Sequence, residues 1–299
     1  MILVVGEALV DVVEHPDGSR TEHPGGSPAN VAVGLGRAGL DVTLATTLGD
    51  DRFGELIRRH LAESHVNVVA SPAGRTSSAV ARLDADGAAD YEFDVSWDPD
   101  LTDPPTTPDA VHTGSIAASL APGADAVEAL LKRRRSTSIV TFDPNVRPSL
   151  TPHQEEVADR VERLVRLADV VKVSDEDLRW LHAEETVDDT ATRWLESGPA
   201  MVVVTRGADG STAFARAGRI DEPARETSVV DTVGAGDAYM SGLLAGLHEE
   251  GFLDLDSRAE LREIGGDALR RVTTIASRSA AWTVGRAGAQ PPTRDELWP

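Results

Sequence analysis

Asp231-Thr232-Val233-Gly234-Ala235-Gly236-Asp237-Ala238-Tyr239-Met240-Ser241-Gly242 sets an acidic residue and two glycines at the point where a helix begins. Gly234 and Gly236 let the backbone turn tightly with several N–H groups pointing one way, and the run from Ala238 to His248 has a helical composition dotted with small residues. The product is an anion hole on a helix N-terminus, suited to a phosphate. An acidic side chain there repels a bound phosphate, so Asp237 needs a reason, and accepting a proton from an attacking hydroxyl supplies one. An N-capping aspartate after a glycine turn leaves the same local pattern. The choice between the two readings rests on the rest of the chain.

Outward from this stretch, short β-rich runs alternate with helical segments, the signature of βαβ units and a mainly parallel sheet. The strands expected are Ile2 to Val5, Val42 to Thr46, Ala110 to Thr113, Ser138 to Phe142, Val170 to Val173 and Met201 to Thr205. Helices are expected over Ala29 to Ala38, Phe53 to Glu63, Ala124 to Arg134, Gln154 to Leu167, Asp175 to His182 and Thr190 to Glu196. Between Val68 and Trp97 the pattern changes. There Ser77 to Leu83 and Asp90 to Val95 flank the turn Asp84-Ala85-Asp86-Gly87, a hairpin inside a βα chain. A hairpin with few partners in such a fold suggests a small flap that excludes water from a reactive centre. The proline-rich return from Asp98 to Pro108 reads as rigid. The expected organisation is one α/β domain over residues 1–299 with a lid of about 68–98.

Composition narrows the function. The chain has 299 residues and a formal net charge of −21, with no basic surface to release phosphate counterions, so nucleic acid is not an expected partner. Lys132-Arg133-Arg134-Arg135, the one basic run, reads as the solvated end of a helix. There are no cysteines, and the eight histidines never fall at zinc-ligand spacing. The apolar start, Met1 to Gly6, has no basic flank and is too short for a signal peptide or a membrane span, so a soluble cytoplasmic protein is expected. Lysine occurs only at 132 and 172 while Asp and Arg abound, which fits a salt-rich cytoplasm or a GC-rich genome. Such a field repels ATP, so a nucleotide would have to be held by local groups.

Two more stretches carry chemistry. Gly6-Glu7-Ala8-Leu9-Val10-Asp11 puts a carboxylate just past the end of the first strand, where ligands of parallel sheets sit. Pro24-Gly25-Gly26-Ser27-Pro28-Ala29-Asn30 is a glycine turn running into a helix, and Asn30 offers both a donor and an acceptor, which suits a polyol. With Gly49-Asp50-Asp51-Arg52-Phe53-Gly54, Asp143-Pro144-Asn145-Val146-Arg147 and Asp231 to Asp237, these stand in the order and spacing of the ribokinase-like (pfkB) carbohydrate kinases. The chain resembles that family from about Gly6 to Pro292, and its Gly-Gly-Ser-Pro-Ala-Asn and Asp-Pro-Asn-Val-Arg forms look most like those of fructokinases.

The resemblance implies a three-layer α/β/α sandwich with a small β lid and a kinase that binds ATP with Mg²⁺. It implies Asp237 as the base that deprotonates a sugar hydroxyl, with Gly234, Ala235 and Gly236 supplying the N–H groups around the transferring phosphoryl group. Asp11, Gly25, Gly26 and Asn30 match sugar-binding positions. Arg147 matches a residue near the transferred phosphate, and a guanidinium suits phosphoryl oxygens, although arginine is common enough here for a surface ion pair. Ser174, Thr205, Arg206, Gly207 and Gly210 match the nucleotide side. A monovalent cation such as K⁺ would lie near Asp231, Val233, Thr283, Arg286 and Gly288. One motif departs: where many members have Asn-x-x-Glu to organise Mg²⁺ waters, this chain has Ser174-Asp175-Glu176-Asp177, leaving the shorter Asp177 as the Mg²⁺ candidate. Family members often dimerise through their lids, so a homodimer is implied as well.

Gly34-Leu35-Gly36-Arg37-Ala38-Gly39 is a literal GxGxxG. It follows no strand directly and opens no helix, so it is read as packing glycines and a helix end, not a dinucleotide site. The rival readings are a 2-keto-3-deoxygluconate kinase, a ribokinase or a nucleoside kinase, or a sugar sensor that has lost catalysis. Stacking aromatics would favour a nucleoside, and only Tyr91, Phe93 and Trp97 lie near the expected lid, where they read as lid core.

Overall fold

The computed structural model describes residues 1–299 apart from 84–88, 102–106 and 152. Its strands in chain order are β1 (Ile2–Val5), β2 (Leu9–Glu14), β3 (Arg20–Gly25), β4 (Val42–Gly49), β5 (Val66–Ala73), β6 (Ser78–Leu83) and β7 (Ala89–Asp94). They continue with β8 (Ala110–Gly114), β9 (Ile139–Asp143), β10 (Val170–Ser174), β11 (Met201–Thr205), β12 (Ser211–Ala215) and β13 (Gly218–Glu222).

A nine-stranded sheet runs in the order β13-β12-β11-β10-β9-β8-β1-β4-β5. It is parallel from β5 to β11 and closes with two antiparallel strands. Runs such as Ile2-Leu3-Val4-Val5 form central strands because helices cover both faces, so every side chain is buried. Val4 joins a core under the helices Ser27–Arg37, Ala235–Glu249 and Gly266–Val284. Leu3 and Val5 join the opposite core, under Gly123–Arg134, Gln154–Val165 and Val187–Ser197. This is the expected α/β/α sandwich, with the six expected strands in place. The expected helices are present too, with ends moved by a few residues: Gln154 to Leu167 stops at Val165, and Thr190 to Glu196 lengthens to Val187–Ser197.

The second sheet differs from the single hairpin expected over 68–98. It has four strands in the order β3-β2-β6-β7, and half of it comes from Leu9–Gly25. β2 and β6 pair in parallel at its centre, each carrying an antiparallel partner outside. β5, placed within the flap by the sequence reading, extends the large sheet instead. Asp11 consequently lies on β2 and not in a loop after β1. The turn Asp84 to Gly87, part of the return from Asp98 to Pro108 and the side chain of Tyr91 lie outside the described residues. Trp97 is buried in the large domain, where its indole donates to the Ala117 carbonyl at 3.1 Å.

The glycines of the GxGxxG stretch serve packing, as expected, but partly helix on helix. Gly34 faces Ser241, so the helix Ser27–Arg37 lies close against Ala235–Glu249. That contact aligns two helix N-termini side by side. No helix among the described residues is long and apolar enough to cross a membrane.

Candidate active site

Asp237 sits in the first turn of the helix Ala235–Glu249, whose N-cap Gly234 takes a left-handed φ of 72°. A side chain at Gly234 would sit 2.5 Å from the Ala289 methyl, so both φ and space call for glycine. The Asp237 carboxylate is 7 % exposed and hydrogen-bonded on both oxygens from the neighbouring helix. The Ser27 hydroxyl donates to Oδ1 at 2.6 Å, and the Asn30 amide donates to Oδ2 at 2.8 Å. Ser27 in turn accepts from the Asn145 amide at 2.8 Å, and Asn145 Oδ1 accepts from the Arg147 guanidinium at 2.7 Å. A relay of polar groups thus runs from the loop after β9 to the carboxylate at the helix start.

Sugar-facing candidates converge on the same place from the small sheet. The Asp11 carboxylate packs over Gly25, which a side chain there would displace. Burial raises the Asp11 carboxyl above its ordinary range, with His23 and then Arg147 opposing the rise and Asp237 adding to it. Arg147 is exposed and, among the described residues, makes no ion pair, so the surface-pair reading does not apply. Gly26 approaches the backbone of Glu7, and its φ of 99° favours glycine.

Glu7 holds the floor of this turn. Its carboxylate accepts from the Ala117 amide at 3.0 Å, tying the end of β1 to the turn after β8. Burial pushes the Glu7 carboxyl from 4.5 up to about 7. A raised acid keeps its proton longer in the folded chain than in the unfolded one, so stability falls as pH rises from 4.5 to about 7 and is flat above. Glu7→Gln should remove a pH-dependent loss on the order of 3 kcal/mol across that window. Urea unfolding of both proteins at about pH 5 and about pH 8 reads this directly, and equal pH dependence in the two would refute it.

Beneath the helix start lies a buried ion pair that the sequence reading did not single out. Lys172 Nζ meets Asp143 Oδ2 at 2.9 Å, with side chains 4 % and 1 % exposed. Burial pushes Asp143 up to about 6, still ionised at neutral pH, and its charge keeps Lys172 protonated against the opposing effect of burial. The available signal was a lysine in the otherwise apolar strand Val170-Val171-Lys172-Val173. Ser27 and Asn145 lay inside quoted motifs but carried no role until the chain was folded.

On the far side of Gly236 a cavity of about 490 Å³ opens along the edge of the large sheet, lined among others by Thr205, Gly207, Gly210, Thr227, Ser277 and Ala281. Small side chains leave room for a flat ligand, and Ala235 and Gly236 close the end nearest Asp237. Arg206 does not reach it. Its guanidinium pairs with Asp188 at 2.7 Å and donates to the Thr212 hydroxyl, pulling it away from the cleft. Ser174 is engaged as the N-cap of the helix Asp175–Leu181, accepting from the Asp177 amide at 3.0 Å. Asp231 accepts from the amides of Val233 at 3.0 Å and Gly288 at 2.8 Å, which lower its carboxyl and tie together the two loops expected to flank a monovalent cation. The Thr283 hydroxyl donates to the Ser279 carbonyl of its own helix at 3.0 Å, with the Gln290 carbonyl also in reach at 3.4 Å, and Arg286 stacks on Trp282.

A carboxylate beside an anion-binding helix N-terminus, flanked by a polar pocket and a nucleotide-sized cleft, is the constellation of a phosphotransferase with an alcohol acceptor. Residues 1–296 match the family model described as pfkB family carbohydrate kinase, and the chain belongs to that family. It is 36 % identical over 264 residues to a fructokinase of Klebsiella pneumoniae, covering 85 % of this chain and 86 % of the relative. Among solved structures it resembles the fructokinase of Xylella fastidiosa with bound ATP, with a TM-score of 0.87 and 27 % identity over 99 % of this chain and 96 % of the other. It also resembles a fructokinase double mutant from Vibrio cholerae in a form with fructose, ADP and potassium ion bound, with a TM-score of 0.83, 26 % identity and coverage of 99 % and 96 %. The chain is a sugar kinase.

Proposed function

We propose that this sugar kinase is an ATP-dependent fructokinase that transfers the γ-phosphoryl group of ATP to the 6-hydroxyl of fructose. The observation that carries the reading is the Asp237 carboxylate, held by Ser27 and Asn30 at the N-terminus of a helix between the sugar pocket and the nucleotide cleft. Asp237 takes the proton of the attacking hydroxyl, and the N–H groups of Gly234, Ala235 and Gly236 receive the negative charge of the transferring group. Asp11, Gly25, Gly26 and Asn30 orient the sugar, and Arg147, tethered by Asn145, reaches the phosphoryl oxygens. Thr205, Gly207 and Gly210 line the nucleotide side, with Arg206 left to its structural pair.

Mg²⁺, bound chiefly to the nucleotide phosphates, would supply charge neutralisation there. Mg²⁺ keeps several waters and takes one or two carboxylates beside the substrate phosphates, so a single acidic side chain is enough to fit that arrangement. The Asp177 carboxylate, held at the helix start through its own amide, is a hard oxygen donor suited to the metal's waters. Backbone oxygens of the joined loops at Asp231, Val233, Thr283, Arg286 and Gly288 suit K⁺. The small sheet acts as the lid that excludes water, and its outer strands β3 and β7, each with one free edge among the described residues, are where a second copy would pair. Use of ATP as cosubstrate supports a cytoplasmic location.

The test is ADP release from Mg-ATP with fructose, ribose, 2-keto-3-deoxygluconate, glucose and adenosine, at low and molar KCl. Fructose is expected to give the highest kcat/KM. Turnover with another acceptor alone would keep the mechanism and change the substrate, and silence with folded protein would favour a non-catalytic sensor.

A further inference from the structure

Lys172 lies under the reacting centre without touching it. Its Nζ is 3.1 Å from the position a Cβ would occupy on Gly236, so the ammonium sits directly beneath the helix start that forms the anion hole. Only its contact with Asp143 uses one of its three N–H donors among the described residues. The other Asp143 oxygen, Oδ1, is buried without a hydrogen-bond partner, so the carboxylate's alignment depends on the ammonium. Elsewhere this chain draws its cations almost wholly from arginine, and its one other lysine, Lys132, is an exposed surface residue paired with Glu128. Under Gly236 the cation is a compact ammonium and not the wider fork of a guanidinium.

Charges face this point from every neighbouring element. Asp143 comes from β9, Asp177 from the helix after β10, and Asp237 from the helix Ala235–Glu249. His112 on β8 is also close, but burial and then Lys172 drive its imidazole down to about 3, so it stays neutral. Asp237 is faced in addition by Asp11 from β2 and by the neutral donors Ser27 and Asn30. Three carboxylates therefore surround one cation at a place that must also receive a phosphoryl group.

We propose that Lys172 is a positioning residue for phosphoryl transfer: pinned by Asp143 beneath the anion hole, its fixed positive charge balances the converging carboxylates and keeps Asp237 ready to accept the hydroxyl proton. The inference rests on the kinase reading above and adds a residue to it. A purely structural ion pair is the competing explanation, and charge removal in two forms separates them. In Lys172→Met a buried carboxylate loses its partner, so stability falls as well as rate. The double variant Asp143→Asn/Lys172→Met removes both charges and should recover most of the lost stability.

The decisive comparison is Asp143→Asn against that double variant, which differ only in the charge at 172. Asp143→Asn keeps the cation at 172 and should retain at least about tenfold the kcat of the double variant, with the fructose KM changed little in both. The double variant's kcat–pH profile should show the acid limb about one pH unit above that of Asp143→Asn, since the two differ by one nearby cation and its loss makes carboxylates harder to ionise. Wild-type kcat in the double variant, or an acid limb that coincides with that of Asp143→Asn, would overturn the proposal. So would an Asp143→Asn enzyme as slow as the double, because activity would then follow the carboxylate and not the ammonium. Failure of the wild-type protein to release ADP with any sugar would instead remove the kinase reading itself.

Discussion

Asp237→Asn is expected to lower kcat at least about a hundredfold while leaving the fructose KM within a few fold, the pattern of a lost general base. The substitution keeps the shape of the site. Asn30 can still donate to the amide oxygen of residue 237, and the new amide can donate to the Ser27 hydroxyl, which already accepts from Asn145. Thermal unfolding should therefore move little, which makes the kinetic loss interpretable as chemistry. The wild-type geometry explains why so large an effect is expected. Two donors hold the carboxylate in one orientation at the N-terminus of the helix. Turnover of the variant within about threefold of wild type would take the base role from Asp237.

The second large effect is expected at Gly26. A methyl there would lie 2.6 Å from the Glu7 carbonyl oxygen and 3.1 Å from the Ala8 Cα, both backbone atoms that cannot rotate aside. The φ of 99° adds conformational strain for any L side chain. Gly26→Ala should cost about 2–5 kcal/mol in stability and lower kcat/KM for fructose at least about tenfold, because Gly26 caps the helix that presents Ser27 and Asn30 to Asp237. Gly18→Ala is the control. Gly18 has a comparable φ of 81° on an open turn with nothing within 4 Å, so only the backbone term applies and kcat/KM should be unchanged. Equal effects at the two positions would show that backbone strain alone, and not the approach to Glu7, governs Gly26.

How much of this was readable beforehand follows from the physics of each signal. Strands such as Ile2–Val5 and Met201–Thr205 are buried on both faces, so they read as unbroken apolar runs and their limits were correct to the residue. β3 was missed because Arg20-Thr21-Glu22-His23-Pro24-Gly25 is an outer strand, polar and proline-bearing, and its pairing with β2 is set by tertiary contacts and not by its own composition. β12 and β13, flanking Arg216-Ala217, were likewise unannounced by any strong turn pair. Asp237, the glycine turn before it and Asn30 could be singled out as candidates because each sits in a local pattern. Lys172 and Asn145 were not, since their roles arise from partners 29 and 118 positions away in the chain.

The two-segment origin of the small sheet has a consequence for how such a protein can be altered. Because, among the described residues, β2–β3 and β6–β7 join through the parallel pairing of β2 with β6, the small sheet is not a cassette that could be excised or transplanted as one segment. Removing β6–β7 alone would strand β2–β3 with a bare edge, and removing both would cut away Asp11 and the turn leading into Ser27. Altering this protein's acceptor preference is therefore expected to work through side-chain replacement on the four strands, whose backbone is continuous with the turn leading into Ser27.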